Sequence, residues 1–347
     1  MKKGNTAVLL VMMFFMMFTG FVLGMIVIHV VDTKHENEIV SELKQEIAEK
    51  EKIIDESVNV YIPARKLNAG TILRNPYVQE NFVFEDGFMA YYNENGEKIS
   101  HPGVDLSYHN SNIDWQALAA SPIEFVMLRC GYRGYTEGGI IEDERFREYA
   151  QAANDNGLNL GVYFFSQAIT EQEAITEADY VIKLIEDYDI SYPVAFDTEY
   201  VNDPEARTNL AELTRDELTD ICIAFCERIK EAGYYPMIYA SENWFRRELD
   251  MTRLTDYDLW APQYMDTNDF LYDFTIWQHT DSGNAPGVEG ECDLDISLVD
   301  YASFVPALKE AHDTGGIIEE YSNTNPSITI TPIDNNMPDD GETDTDN

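Results

Sequence analysis

Two carboxylates two positions apart, Asp197 and Glu199, close an apolar run that reads PVAFDTEY over 193–200. On an extended strand, residues i and i+2 lie on one face with Cα atoms roughly 6.6 Å apart. Carboxyl groups that share a low-dielectric pocket push their pKa values apart, leaving one protonated as an acid and the other ionised. That is the division of labour that hydrolysis of a glycosidic bond requires. A D-x-E triplet recurs by chance in any acidic chain. Its place after Val194, Ala195 and Phe196 gives it weight, because unpaired carboxylates in apolar surroundings are costly unless used.

Other polar residues fall at comparable places. Asp105 lies late in a short apolar run, Gln263 and Tyr264 follow DLWAP, Gln278 and His279 close FTIW, and Asp293 and Asp295 lie in CDLDIS. Tyr163, Tyr239, Trp260 and Trp277 fall on similar runs, and about half of such aromatics belong to a core. Sugar rings stack on aromatic faces while amides and carboxylates bind hydroxyls, so a rim rich in both suits a carbohydrate. Of these, the residues near strand ends, Gln263, Tyr264 and Gln278 among them, have the better claim to such a rim. Clustered Asp and Glu also suit Mg²⁺ or Ca²⁺, but no His pair or EF-hand loop accompanies them, so neither metal nor cofactor is expected.

These residues need a scaffold that gathers strand ends. Between residues 103 and 301 eight short apolar runs alternate with longer segments: 103–107, 125–131, 160–166, 193–200, 236–241, 258–264, 274–280 and 292–297. Early connections read as helices. DERFREYAQAANDNG ends in a glycine suited to a C-cap, and TRDELTDICIAFCERIKEAG opens with a capping box at Thr214 and Glu217. The last connections are too short or irregular for full helices. Strand-helix repetition predicts a mainly parallel sheet with right-handed crossovers, and eight strands in about 200 residues predict closure into an α/β barrel. An open doubly wound sheet is the alternative, weakened by the absence of G-x-G-x-x-G after the first strand.

Composition narrows function further. Lys and Arg number 23 against 64 Asp and Glu, a net charge of −41, which excludes a phosphate-backbone partner such as nucleic acid. Cys130, Cys222, Cys226 and Cys292 are too scattered for a disulfide framework, and Cys222 and Cys226 read as small fillers of one helix face. Ala7 to Val31 contain no charged side chain, long enough for a membrane-spanning helix, and Lys2 and Lys3 precede them. A cytoplasmic stub and signal anchor over 1–34 is therefore expected, with the rest of the chain outside; a cleaved signal peptide is the alternative. Residues 35–60 carry Ile39, Leu43, Ile47 and Ile54 at helical spacing and predict a stalk, whose stripe would allow self-association. Turn residues over 61–100 predict a small β element with a hairpin at YYNENGEKI. A barrel over 101–310 and an acidic, disordered tail over 311–347 complete the expected domains.

The stretch from Gly103 to about Tyr301 resembles glycoside hydrolase family 25, the Chalaropsis-type lysozymes. GVDLSYHNSNIDW, FVMLRCGYRG, VAFDTEY, LWAPQY, IWQHT and CDLDIS match that family's motifs in order. The resemblance implies a modified TIM-like (β/α)₅β₃ barrel and cleavage of the β-1,4 bond between N-acetylmuramic acid and N-acetylglucosamine in peptidoglycan. It implies Glu199 as the general acid. Asp197 would orient the substrate's acetamido group or stabilise an oxocarbenium ion, with Asp105 and Asp293 as flanking carboxylates. Tyr163, Trp260, Tyr264 and Gln278 would be substrate contacts. Two positions depart from the pattern: Phe164 stands where the family often has His, which would remove a polar contact, and Asp295 where Asn is common.

The expected function is thus a membrane-anchored muramidase outside the cytoplasmic membrane, with no cofactor and with peptidoglycan strands and the membrane as partners. Two alternatives remain open at this level. One is an inactive barrel serving as a glycan-binding or scaffolding module, against which the intact Asp197 and Glu199 weigh. The other is a chitinase-like hydrolase, against which the absence of a longer D-x-x-D-x-D-x-E run weighs.

Overall fold

The computed structural model describes residues 72–265 and 267–314 in full, together with the backbone of the strands Ala7–Met12, Met25–Val30, Asn59–Pro63 and Ile317–Tyr321. Eight strands close into a barrel: β1 (His101–Leu106), β2 (Phe125–Arg133), β3 (Asn159–Phe165), β4 (Val194–Asp197), β5 (Pro236–Tyr239), β6 (Asp258–Pro262), β7 (Ile276–Gly283) and β8 (Cys292–Ser297). Closure is direct, because β1 pairs with both β2 and β8. All eight runs singled out in the sequence are these strands.

Strands β1 to β7 are mutually parallel, while β8 is antiparallel to both of its neighbours. Helices follow the first five strands: Trp115–Ala119, Phe146–Asp155, Glu171–Ile185, Arg215–Glu231 and Glu242–Arg247, with a short turn of helix at Arg207–Leu210. Among the described residues no helix joins β6, β7 and β8. That is the (β/α)₅β₃ arrangement.

Local chemistry explains the main elements. The helix Arg215–Glu231 begins with Thr214 and Glu217 in a reciprocal capping box, which satisfies donors that the first turn leaves unpaired. Its buried face includes Cys222, Phe225, Cys226 and Ile229, and all four cysteines of the chain are buried and free. Phe225 lies 4.9 Å from Phe196 of β4, ring to ring. Burying a phenylalanine stabilises by about 1.5–3 kcal/mol. Because strand side chains alternate, Phe196 facing this helix puts Asp197 on the barrel interior. At the end of the barrel where β1 begins, Gly103 is obligatory. A Cβ there would stand 2.3 Å from the Phe125 ring, which stacks on Tyr192 at 4.4 Å.

Ahead of the barrel, Phe82–Glu85 and Phe88–Tyr91 form a hairpin. Its turn residues Asp86 and Gly87 have φ of 52° and 89°, as a two-residue type I′ turn needs. The hairpin expected at YYNENGEKI is reduced to one bridge, Tyr92 to Lys98, around the turn at Asn93–Gly96. Paired strands lie earlier because the Asp-Gly turn is the tighter nucleus. Tyr77, Phe82 and Tyr91 pack with Phe274 and Trp277, so these residues form part of the barrel's own core.

At the far end, the helix Val305–Thr314 and the strand Ile317–Tyr321 run past residue 311, where a disordered tail was expected to start. Leu308 and Ala311, one helical turn apart and buried, account for the longer helix. Within the uncharged run at 7–31 the described backbone is two antiparallel strands, Ala7–Met12 and Met25–Val30. Among the described residues no helix is long and apolar enough to cross a membrane. The rest of that run, the expected stalk up to Asn59 and the chain beyond Tyr321 lie outside the described residues.

Candidate active site

A cavity of about 300 Å³ opens at the C-terminal ends of β1 to β7. Asp105, Arg129, Tyr163, Phe165, Asp197, Tyr239, Trp260 and Gln278 reach it from consecutive strands, Glu199 and Tyr264 from just beyond β4 and β6, and Asp293 from β8. The reversed course of β8 matters here. Asp293 is near the start of its strand, and only an antiparallel β8 carries that start to the rim, where Asp293 pairs in register with Asp105. All the expected site residues meet in the cavity except Gln263.

Gln263 is turned away from it. Its Oε1 accepts the backbone N–H groups of Asp269 and Phe270 at 3.1 and 3.2 Å, and its Nε2 donates to Asp269. The amide closes the loop that follows β6 in place of binding substrate. Trp277 and His279 also point outward, on either side of Gln278 along the strand. Burial lowers the His279 pKa to about 4, so its imidazole is neutral at physiological pH. Phe164 is likewise buried against the helical layer, with its ring 6.2 Å from Tyr180, so a polar residue there would not reach the cavity.

Gln278 organises the floor. Its Nε2 donates to Asp105 Oδ2 at 2.7 Å, and its Oε1 accepts the hydroxyls of Tyr239 at 2.9 Å and Tyr264 at 2.8 Å. Trp260 Nε1 donates to Asp295 Oδ1 at 2.8 Å, while Asp295 Oδ2 and Asp197 Oδ1 are buried with no hydrogen-bond partner. Among the described residues, Arg129 is the single cation on the cavity wall. Its Nε donates to the buried Asp143 at 2.9 Å, its guanidinium lies 4.9 Å from the Tyr108 ring centre, and its Nη2 is buried without a partner.

Five carboxyl groups around one guanidinium cannot all ionise. Burial is the first cause of every shift. It raises Asp105 well above the usual range, helped by the charge of Asp295. It raises Asp295 likewise. Asp293 is pushed up to about 8 by burial and by Asp105. Asp197 and Glu199 are both raised, by burial first, and Asp197 further by Glu199 beside it, with which it shares a hydrogen bond. Asp197 is buried at 3% exposure, whereas Glu199 is only half-buried. The pair therefore offers a shared proton with its accessible partner at the entrance.

The sequence reading did not place Arg129, Phe165 or Tyr239 in the site. Arg129 had left a trace, as the one charged residue within FVMLRCG. Tyr239 was one strand aromatic among several, with nothing local to mark it.

Residues 104–288 match the profile of glycosyl hydrolases family 25. The chain belongs to that family. Among similar proteins is the autolytic lysozyme of Clostridium acetobutylicum, 23% identical over 194 residues, covering 56% of this chain and 54% of that protein. Another is the uncharacterized protein YegX of Escherichia coli K12, 24% identical over 216 residues, covering 60% of this chain and 74% of that protein. The modular autolysin LytC from Streptococcus pneumoniae superposes with a TM-score of 0.51 at 25% identity, over 62% of this chain and 52% of its own. The spore cortex lytic enzyme SleM of Clostridium perfringens shares the fold, with a TM-score of 0.51 at 22% identity over 57% of this chain and 67% of its own. The family 25 chain thus spans about half the length of LytC and of the autolytic lysozyme. Family and relatives together support a glycoside hydrolase of the lysozyme type.

Proposed function

We propose that this family 25 protein is a peptidoglycan hydrolase, an N-acetylmuramidase that cleaves the β-1,4 bond between N-acetylmuramic acid and N-acetylglucosamine. The observation that carries it is the Asp197–Glu199 pair, raised in pKa and set one above the other at the mouth of a cavity walled by Tyr163, Tyr239, Trp260 and Tyr264. LytC supports the substrate class, since one of its structures holds a synthetic peptidoglycan ligand.

In this reading Glu199 gives its proton to the departing glycosidic oxygen as the bond from C1 breaks. The neighbouring acetamido oxygen attacks C1 from the opposite face. With the shared proton on Glu199 at the start of this step, Asp197 is the carboxylate of the pair; it accepts the acetamido N–H through its unpartnered Oδ1 and offsets the positive charge that forms on the ring. Water then opens the cyclic intermediate and returns a proton to Glu199. Asp105 and Asp293 bind sugar hydroxyls at the opposite wall, with Gln278 fixing Asp105.

Anchoring at a membrane belongs to the same proposal. The uncharged run from Ala7 to Val31, preceded by Lys2 and Lys3, supports attachment with the barrel on the extracytoplasmic side. Fractionation of cells expressing the full chain and a form lacking residues 1–34 tests this point. Release of only the shortened form from membranes is expected; an equal distribution of both would overturn it.

The test of the activity is digestion of purified peptidoglycan by the full chain and by Glu199→Gln, with new reducing ends identified by mass spectrometry. Reducing N-acetylmuramic acid from the parent alone is expected. Reducing N-acetylglucosamine would reassign the bond, and intact glycan that retains the protein would mean a binding module.

A further inference from the structure

The loop that carries Tyr264 to the cavity is fastened by residues that precede the barrel. Asn268 in that loop is fully buried, and its Oδ1 accepts the Phe270 N–H at 3.1 Å. One side-chain amide from outside pairs with its backbone in both directions. Gln79 Oε1 accepts the Asn268 N–H at 2.6 Å, and Gln79 Nε2 donates to the Asn268 carbonyl. Asn75 Nδ2 adds a bond to Asn268 Oδ1 at 3.2 Å.

The start of the same loop is gripped by the same segment. The Phe82 ring packs 5.0 Å from Trp277, whose Nε1 donates to the Gln263 carbonyl at 2.8 Å. Tyr77 donates its hydroxyl to the Phe274 carbonyl at 3.1 Å, just past the loop. What the loop delivers is the Tyr264 hydroxyl, 2.8 Å from Gln278 Oε1, and Gln278 in turn holds Asp105. A chain of contacts therefore runs from Gln79 through Asn268 and the loop to Tyr264 and the cavity wall. Residues 75–82 lie outside the stretch matched to family 25, which begins at residue 104.

We propose that residues 75–82 are a positioning element of the active site, acting through Asn268 to hold Tyr264 against Gln278 and so to shape the sugar pocket. Gln79 is a positioning residue and touches no substrate. The kinetic part of this inference rests on the proposed peptidoglycan hydrolysis; the structural part does not.

The experiment uses the full chain with Gln79→Ala, Tyr264→Phe and the two combined. Loss of one pair of bonds to a buried backbone group weakens binding by a factor of about three to ten. Gln79→Ala is expected to raise KM by about that factor, with kcat within about twofold, and to add little in the Tyr264→Phe background. A full, independent effect of Gln79→Ala on top of Tyr264→Phe, or an unchanged KM, would overturn the proposal. Hydrogen exchange supplies a readout free of activity. The amides of Asn268 and Phe270 are expected to exchange faster in Gln79→Ala while β1 to β8 keep their protection. Unchanged exchange at both amides would sink the proposal even in an active enzyme, whereas faster exchange in Gln79→Ala, with a parent that leaves peptidoglycan intact, would uphold the structural part and reject the hydrolase.

Discussion

Asp105 and Asp293 sit directly opposite each other across the seam where β1 meets β8, with a hydrogen bond between their carboxyl groups. One proton serves both, and burial together with Asp105 pushes Asp293 up to about 8. An unfolded aspartate titrates near 3.9, so above that pH the folded protein holds a proton that the unfolded chain has released. Unfolding then gives up that proton, and a rising pH favours it until the folded group has also ionised. Melting temperature should therefore fall between about pH 4 and about pH 8 through this pair. Thermal melts at intervals across that window check it, and Asp293→Asn should flatten the slope. A slope unchanged in the variant would remove Asp293 as its source.

Asp295 makes a separate prediction. Burial raises its carboxyl well above the usual range; it accepts from Trp260 and has one oxygen unpartnered. Asp295→Asn keeps the shape and the acceptor while removing the cost of ionisation, so stability at pH 8 should be equal to or above the parent. Asp295→Ala should lose about 1–3 kcal/mol, because the Trp260 N–H is left buried without an acceptor. Denaturant titration of both variants decides; equal loss in both would deny that Asp295 is neutral.

Glu199→Gln removes the acid but keeps the side chain's size. Turnover on peptidoglycan should drop about 10²- to 10⁴-fold, with binding of glycan fragments nearly unchanged. Retention of parental turnover would move the acid to another of the raised carboxyls, Asp293 first.

Gln278→Ala strands three partners at once, Asp105, Tyr239 and Tyr264. A loss of about 1–3 kcal/mol in stability is expected, with a rise in KM as the wall loosens. Normal KM in a destabilised variant would limit Gln278 to a packing role.

At the other extreme, Thr214→Ala removes one side of an exposed capping box. About 1 kcal/mol of stability should go, with kinetics intact, because the helix start lies outside the cavity wall. A matching loss of kcat at saturating substrate would mean that the helix Arg215–Glu231 transmits strain to β4.

The amino-acid sequence by itself determined the eight strands, the capped helices and the D-x-E at the end of β4. Each of these is written locally, in apolar runs of strand length, in Thr214 with Glu217, and in two acids closing Val194–Phe196. Alternation put Asp197 and Glu199 on one face, position near strand ends singled out Trp260 and Gln278, and the family's motifs ordered them. What only the tertiary structure decided depends on neighbours distant in the chain. The reversal of β8, which is what brings the start of that strand and Asp293 to the rim, follows from the short connection between β7 and β8; the sequence showed that the connection was short but not the direction of the strand. Gln263 was misplaced because its position at a strand end was taken without the alternation: three residues after inward-facing Trp260, it falls on the outward face. Arg129 and Tyr239 gain their meaning only from Asp197 and Gln278, contributed by other strands. The docking of Gln79 on Asn268 joins positions 189 residues apart through backbone groups that every sequence possesses, and backbone polarity carries no residue-specific signature to read in advance.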